Sequence, residues 1–159
     1  MNIILIGMPG SGKTTIAKAL SEVTSMNYLS TDRMIERRTK HTIPEIVRMN
    51  GIEDFRKIEA LNIKITIPTL KDHIIDTGGG SILNSETRKI FKENGMVLWI
   101  YRDLEKLDLE GRSFMRNKSV EQLFKERVNI YSSMAEDIIF NNGVVRDAVN
   151  SIIEKMKMA

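Results

Sequence analysis

Apolar residues recur along this chain with two alternating periods. Asn2–Ile6 is a short apolar run stopped by Gly7 and Pro9, the pattern of a strand in the middle of a parallel sheet. From Lys13 to Thr24, Ile16, Ala17, Leu20 and Val23 fall at helical spacing. A short second strand is predicted over Met26–Leu29 and a helix over Thr31–Thr39. Thr42-Ile43-Pro44-Glu45 reads as a capping box with proline in the first turn, and Asn50-Gly51 closes its helix with a left-handed residue. Helical spacing resumes over Glu53–Ile65, with Phe55, Ile58, Leu61 and Ile65 on one side. His73–Asp76 is predicted as a strand that runs into Thr77-Gly78-Gly79-Gly80. A helix over Glu86–Lys92 precedes a strand over Met96–Tyr101, which is rich in β-branched and aromatic residues. Ser119-Val120-Glu121-Gln122 is a second capping box, opening a helix to about Ala135. Ile138–Phe140 is a last strand, and a terminal helix ends near Lys157.

Strands alternating with helices predict an α/β fold with a parallel sheet. No repeat, low-complexity segment or linker interrupts the pattern, so residues 1–159 are expected to form one domain. Arg102–Lys118 is charged and aperiodic, the best candidate for a mobile loop.

Composition narrows the chemistry. The chain has no cysteine, which excludes a disulfide scaffold, a thiolate zinc site and a cysteine nucleophile. No stretch approaches the ~18 apolar residues of a membrane span, and the N-terminal run lacks the basic leader of a signal peptide. The net charge of +3 comes from 24 basic and 21 acidic residues spread along the chain without a basic tail. The expectation is a cytoplasmic protein with no membrane or nucleic-acid partner, whose small positive excess suits a nucleotide polyphosphate.

Gly7-Met8-Pro9-Gly10-Ser11-Gly12-Lys13-Thr14 matches the phosphate-loop pattern G-x-x-x-x-G-K-[ST] in full, between a strand and an amphipathic helix. Gly7, Gly10 and Gly12 let backbone N–H groups approach phosphate oxygens, and the helix N-terminus through Ser11, Thr14 and Thr15 adds partial positive charge. Lys13 is placed to reach the β- and γ-phosphates, and the Thr14 hydroxyl to ligate Mg²⁺. These residues are the expected site for ATP or GTP. The short chain favours a small-molecule kinase over a switch or motor.

Three further segments fall at telling intervals. Asp32 follows the second strand, Arg56 lies in Phe55-Arg56-Lys57-Ile58-Glu59, and Gly78-Gly79-Gly80 follows the strand ending at Asp76. In a parallel sheet, all strand C-termini open onto one crevice. With the phosphate loop, Ile35-Glu36 and Glu126-Arg127-Val128-Asn129-Ile130-Tyr131, these segments resemble the shikimate kinase family over nearly the whole chain. The resemblance implies a three-layer α/β/α P-loop kinase with a five-stranded parallel sheet. It also implies an acceptor-binding segment at about 30–61 and a lid at about 104–118. It implies that Arg56 and Arg127 clamp the shikimate carboxylate and that Gly78, Gly79 and Gly80 offer backbone to the substrate. Asp32 would take the proton of the attacking hydroxyl. Arg112 would enter with the lid and join Lys13 in stabilising the transferring phosphoryl, with Arg102 and Arg116 as rival lid arginines. Mg²⁺, ATP and shikimate are the expected small-molecule partners, in a monomer serving the route to chorismate.

The chain departs from the family pattern in four places. Ser30 stands where the first acid of Asp-x-Asp is usual. Asp76 stands at the end of its strand, where other P-loop proteins carry a metal-binding acid; it is the candidate to replace the missing carboxylate on Mg²⁺. The lid lacks the proline of Arg-Pro-Leu, reading Arg112-Ser113-Phe114. The loop before the last helix, Asn141-Asn142-Gly143-Val144-Val145, lacks the usual Arg and Pro near adenine. Two alternatives follow from these departures: a related kinase acting on gluconate or a nucleoside monophosphate, or a nucleotide-binding protein without transfer activity.

Overall fold

The computed structural model of the chain describes residues 1–109 and 118–159. Arg112 and Arg116 lie outside the described residues. Five strands, β1 (Asn2–Ile6), β2 (Asn27–Ser30), β3 (His73–Asp76), β4 (Gly95–Tyr101) and β5 (Asp137–Phe140), form one sheet in the order β2-β3-β1-β4-β5. Every pairing is parallel. The predicted strands are found within one residue of their expected ends.

β1 explains the layering. Its side chains alternate, and both sets are buried. Ile4 and Ile6 face one layer, with Ile75, Val97 and Trp99 of neighbouring strands. That layer is closed by Ile63 of α3 (Ile43–Thr66), Phe91 of α4 (Ser85–Asn94) and Tyr131 of α5 (Val120–Met134). Ile3 and Leu5 face the opposite layer, which holds Ile16 and Leu20 of α1 (Lys13–Thr24) and Val149 and Ile152 of α6 (Val145–Met158). A strand covered on both faces has no solvent side, hence the unbroken apolar run. A smaller cluster of Ile35, Ile43, Ile46 and Phe55 joins α2 (Thr31–Thr39) to α3 at the β2 end of the sheet.

Gly51 has φ 84° and ψ 166°, so it separates two helical stretches as expected, the second running to Thr66. The buried stripe of the second stretch, however, differs from the expected one. Phe55, Glu59, Ile63 and Thr66 face inward, while Leu61 and Ile65 are 56% and 57% exposed. The apolar spacing 55-58-61-65 was the wrong phase, because the true inward stripe contains a carboxylate. Val23 of α1 is likewise exposed at 62%. No helix among the described residues is long and apolar enough to cross a membrane.

Candidate active site

β1 pairs with β3 on one side and β4 on the other, so the chain direction across the sheet reverses at β1, where α/β sheets open a crevice. The phosphate loop follows β1 directly and leads into α1. Gly10 and Gly12 adopt φ 76° and 94°, which L side chains rarely adopt. A Cβ on Gly12 would stand 2.3 Å from Asn141 Nδ2, the nitrogen that donates to Ser11 O at 2.8 Å. Lys13 is buried, and its Nζ donates to Gly7 O at 3.0 Å and Met8 O at 2.9 Å. These bonds hold the ammonium over its own loop.

Thr14 Oγ1 donates to Asp76 Oδ2 at 2.5 Å. Tyr28 donates to the same oxygen at 3.4 Å. Burial, then the Asp76 charge, pushes the Tyr28 hydroxyl above its usual range, so it stays a donor at neutral pH. A cavity of about 530 Å³ opens above this group, lined by Gly10, Gly12, Lys13, Thr14, Thr15 and Asp76. Gly7 and Ser11 are buried and are not among the residues that line this cavity. Ser30 reaches the cavity edge, but its hydroxyl caps α2 by accepting from Arg33 N at 3.3 Å, a role serine fills well.

A second cavity, of about 350 Å³, is lined by Arg56, Glu59, Gly80 and Arg127. Arg127 lies in the inward stripe Leu123-Arg127-Tyr131-Met134 of α5, and Glu59 in the inward stripe of α3. The two charged residues thus occupy positions where apolar ones are ordinary. Arg56 Nη1 donates to Glu59 Oε1 at 2.7 Å. Glu59 Oε2 and Arg127 Nε and Nη1 are buried without a hydrogen-bond partner. Burial raises the Glu59 carboxyl above its ordinary range, against the opposing pull of Arg56 and then Arg127. Buried, unsatisfied guanidinium groups are costly in the absence of an anion. This cavity is therefore built for one.

The glycine run joins the cavities. Gly78 N donates to Thr31 Oγ1 at 3.1 Å, and Gly79 O accepts from Tyr131 at 2.7 Å. Burial pushes the Tyr131 hydroxyl up to about 12, so it donates at any working pH. Asp32, Ile43, Gly78 and Gly79 line both cavities. A Cβ on Gly78 would stand 2.8 Å from Asp32 Oδ1, and one on Gly80 would stand 2.1 Å from Arg56 Nη2. Gly80→Ala is therefore expected to displace the Arg56 guanidinium and with it the contact to Glu59. It should raise the KM of an anionic acceptor about tenfold or more, the loss of one charge-assisted bond, and lower the melting temperature, because the buried Glu59 carboxylate loses its cation. Steady-state kinetics and thermal unfolding of the variant check this.

The comparisons with known proteins fit this geometry. The family model for shikimate kinase matches residues 9–157. A shikimate kinase of Clostridium beijerinckii is 34% identical over 158 residues, covering 96% of this chain and 92% of the relative. The chain belongs to the shikimate kinase family. The solved shikimate kinase of Acinetobacter baumannii, in complex with shikimate, superposes with a TM-score of 0.88 at 30% identity, covering 99% of this chain and 93% of that one. The shikimate kinase of Aquifex aeolicus superposes at 0.82 with 28% identity over 99% of this chain and 96% of its own. The protein is thus an ATP-dependent kinase acting on an alcohol group, on a P-loop kinase fold.

The fold brings together Lys13, Thr14, Thr15 and Asp76 in one cavity and Arg56, Gly80 and Arg127 in the other, with Asp32, Gly78 and Gly79 at the seam. Arg112, the family's lid arginine by motif, lies outside the described residues. Sequence reasoning missed Tyr28, Tyr131 and Asn141 as supports of the site. Tyr131 left one signal: it follows Arg127 by four residues on the inward stripe. Asn141 left none, since its contact with Ser11 spans 130 residues.

Proposed function

We propose that this chain transfers the γ-phosphoryl of Mg·ATP to the 3-hydroxyl of shikimate, giving shikimate 3-phosphate and ADP. The observation that carries this reading is the seam: Asp32 faces the phosphate-loop cavity and the arginine cavity at once. An acceptor whose carboxylate pairs with Arg56 and Arg127 lies in the second cavity, with a hydroxyl near Asp32. Asp32 accepts the hydroxyl proton as the oxygen attacks the γ-phosphorus and the bond to the β-phosphate oxygen breaks. Lys13 offsets the charge that grows on the phosphoryl oxygens, the role the family motif also gives Arg112. The planar guanidinium pair suits a carboxylate because both oxygens can be bonded at once.

Thr14 and Asp76 are the residues fit to hold Mg²⁺. A hydroxyl and a carboxylate oxygen 2.5 Å apart at the cavity floor offer the hard oxygen donors that this ion takes. Bound there, the ion would neutralise charge on the phosphate oxygens. We further propose that the chain works as one domain and as a monomer in the cytoplasm. Phosphorus NMR and mass spectrometry of the reaction test the reading. One phosphate ester at the 3-position, absent with Lys13→Met, is the expected product; ATP consumption with unmodified shikimate would contradict it.

A further inference from the structure

Side chains along β4 alternate between the two layers. Val97, Trp99 and Tyr101 pack with α5, while Met96, Leu98 and Ile100 pack with α1 and α6. Arg102 follows as the next member of the second series, just past the strand end. There it lines the phosphate-loop cavity together with Gly12, Lys13, Thr14 and Thr15. It belongs to the described part of the chain, outside the segment that holds Arg112.

The segment around Arg102 is tied down. Asp103 N donates to Asn142 Oδ1 at 2.8 Å, and Asn142 Nδ2 donates to Asp103 Oδ1 at 3.0 Å. Asn141 N donates to Tyr101 O at 2.8 Å, while the Asn141 side chain holds Ser11 O. The ends of β4 and β5 and the phosphate loop are thus bonded into one frame. Arg102 projects from it with Nε buried and without a hydrogen-bond partner. A guanidinium held at a cavity wall with a buried donor unsatisfied is a preformed anion contact.

Strand order decides which anion. Asp32 follows β2 and Asp76 ends β3, on one side of β1; Arg102 follows β4, on the other. A polyphosphate lying along the loop with its reacting end toward Asp32 has its nucleoside end toward Arg102. We infer that Arg102 binds the non-transferred α- and β-phosphates of the nucleotide. This contact anchors the nucleotide at its phosphates, beside a base-side loop (Asn141-Asn142-Gly143) that carries no basic side chain. The inference rests on the reading of the loop cavity as the ATP site.

The test is nucleotide binding by calorimetry with Mg·ADP and with a non-hydrolysable ATP analogue, paired with steady-state kinetics. Arg102→Met should weaken both nucleotides by the same factor, about tenfold or more for a charge-assisted contact. The loss should fall on KM for ATP rather than on kcat, because a contact made equally in ground and transition state affects binding alone. Arg102→Lys should recover part of the affinity. Thermal unfolding without nucleotide should change little, since Nε has no partner to lose; should Arg102→Met unfold early, Arg102→Gln gives the same reading. ADP affinity unchanged in Arg102→Met but reduced in Lys13→Met would overturn the inference and leave the ATP site standing. A fall in kcat with ADP affinity intact would also overturn it, because the arginine would then act on the transferred phosphoryl. Unchanged ADP affinity in both variants would remove the ATP site and the inference together.

Discussion

Arg56→Ala is expected to lower kcat/KM for shikimate by about 30- to 1,000-fold, the 2–4 kcal/mol range for truncating one partner of a desolvated charge pair. Two effects add. The acceptor carboxylate loses a planar partner, and Glu59 loses the cation at 2.7 Å that offsets its burial. The second effect has a pH signature. Burial already raises the Glu59 carboxyl above its ordinary value, so this group favours the folded state most when protonated, and that contribution is lost as pH rises through its folded-state pKa. Without Arg56 the carboxyl is raised further, and the loss of stability with rising pH extends further into the neutral range. Urea unfolding of the variant across the acid-to-neutral range measures this separately from catalysis. Arg56→Lys keeps the charge but not the fork, and should recover stability more than kcat/KM.

The second large effect concerns Asp76. Asp76→Ala is expected to lower kcat/KM by about 100-fold, while Ser30→Ala lowers it only a few-fold. Asp76 is buried against Thr14 and Tyr28, whereas the Ser30 hydroxyl is occupied in capping α2 and its loss costs about 1 kcal/mol of stability. Binding of Mn²⁺ to the ADP complex, followed by electron spin resonance, gives a readout apart from turnover. It should weaken in Asp76→Ala and hold in Ser30→Ala. Equal, small effects of both substitutions would show that the metal carboxylate has not moved to β3.

Much of the fold and the site is legible in the sequence. The phosphate loop was readable because its chemistry dictates both residue types and their spacing, and the strand and helix around it kept their periods. The capping boxes at Thr42 and Ser119 marked helix starts through purely local bonds. What failed was the face of a helix whose inward stripe carries charge. Apolar spacing chose Leu61 and Ile65, while the fold buries Glu59, because its partners Arg56 and Arg127 make a carboxylate tolerable there. Arg127 itself could be read only by family resemblance; its burial between Leu123 and Tyr131 needs α5 docked on the sheet. Supports that join distant segments, such as Tyr28 on Asp76 and Asn141 on Ser11, have no signature in the sequence.

The most direct measurement is ADP release from Mg·ATP with shikimate, gluconate, AMP and CMP offered in turn. The account predicts release that depends on shikimate alone and disappears in Arg56→Ala. Release with another acceptor, or turnover of ATP indifferent to all four, would contradict it.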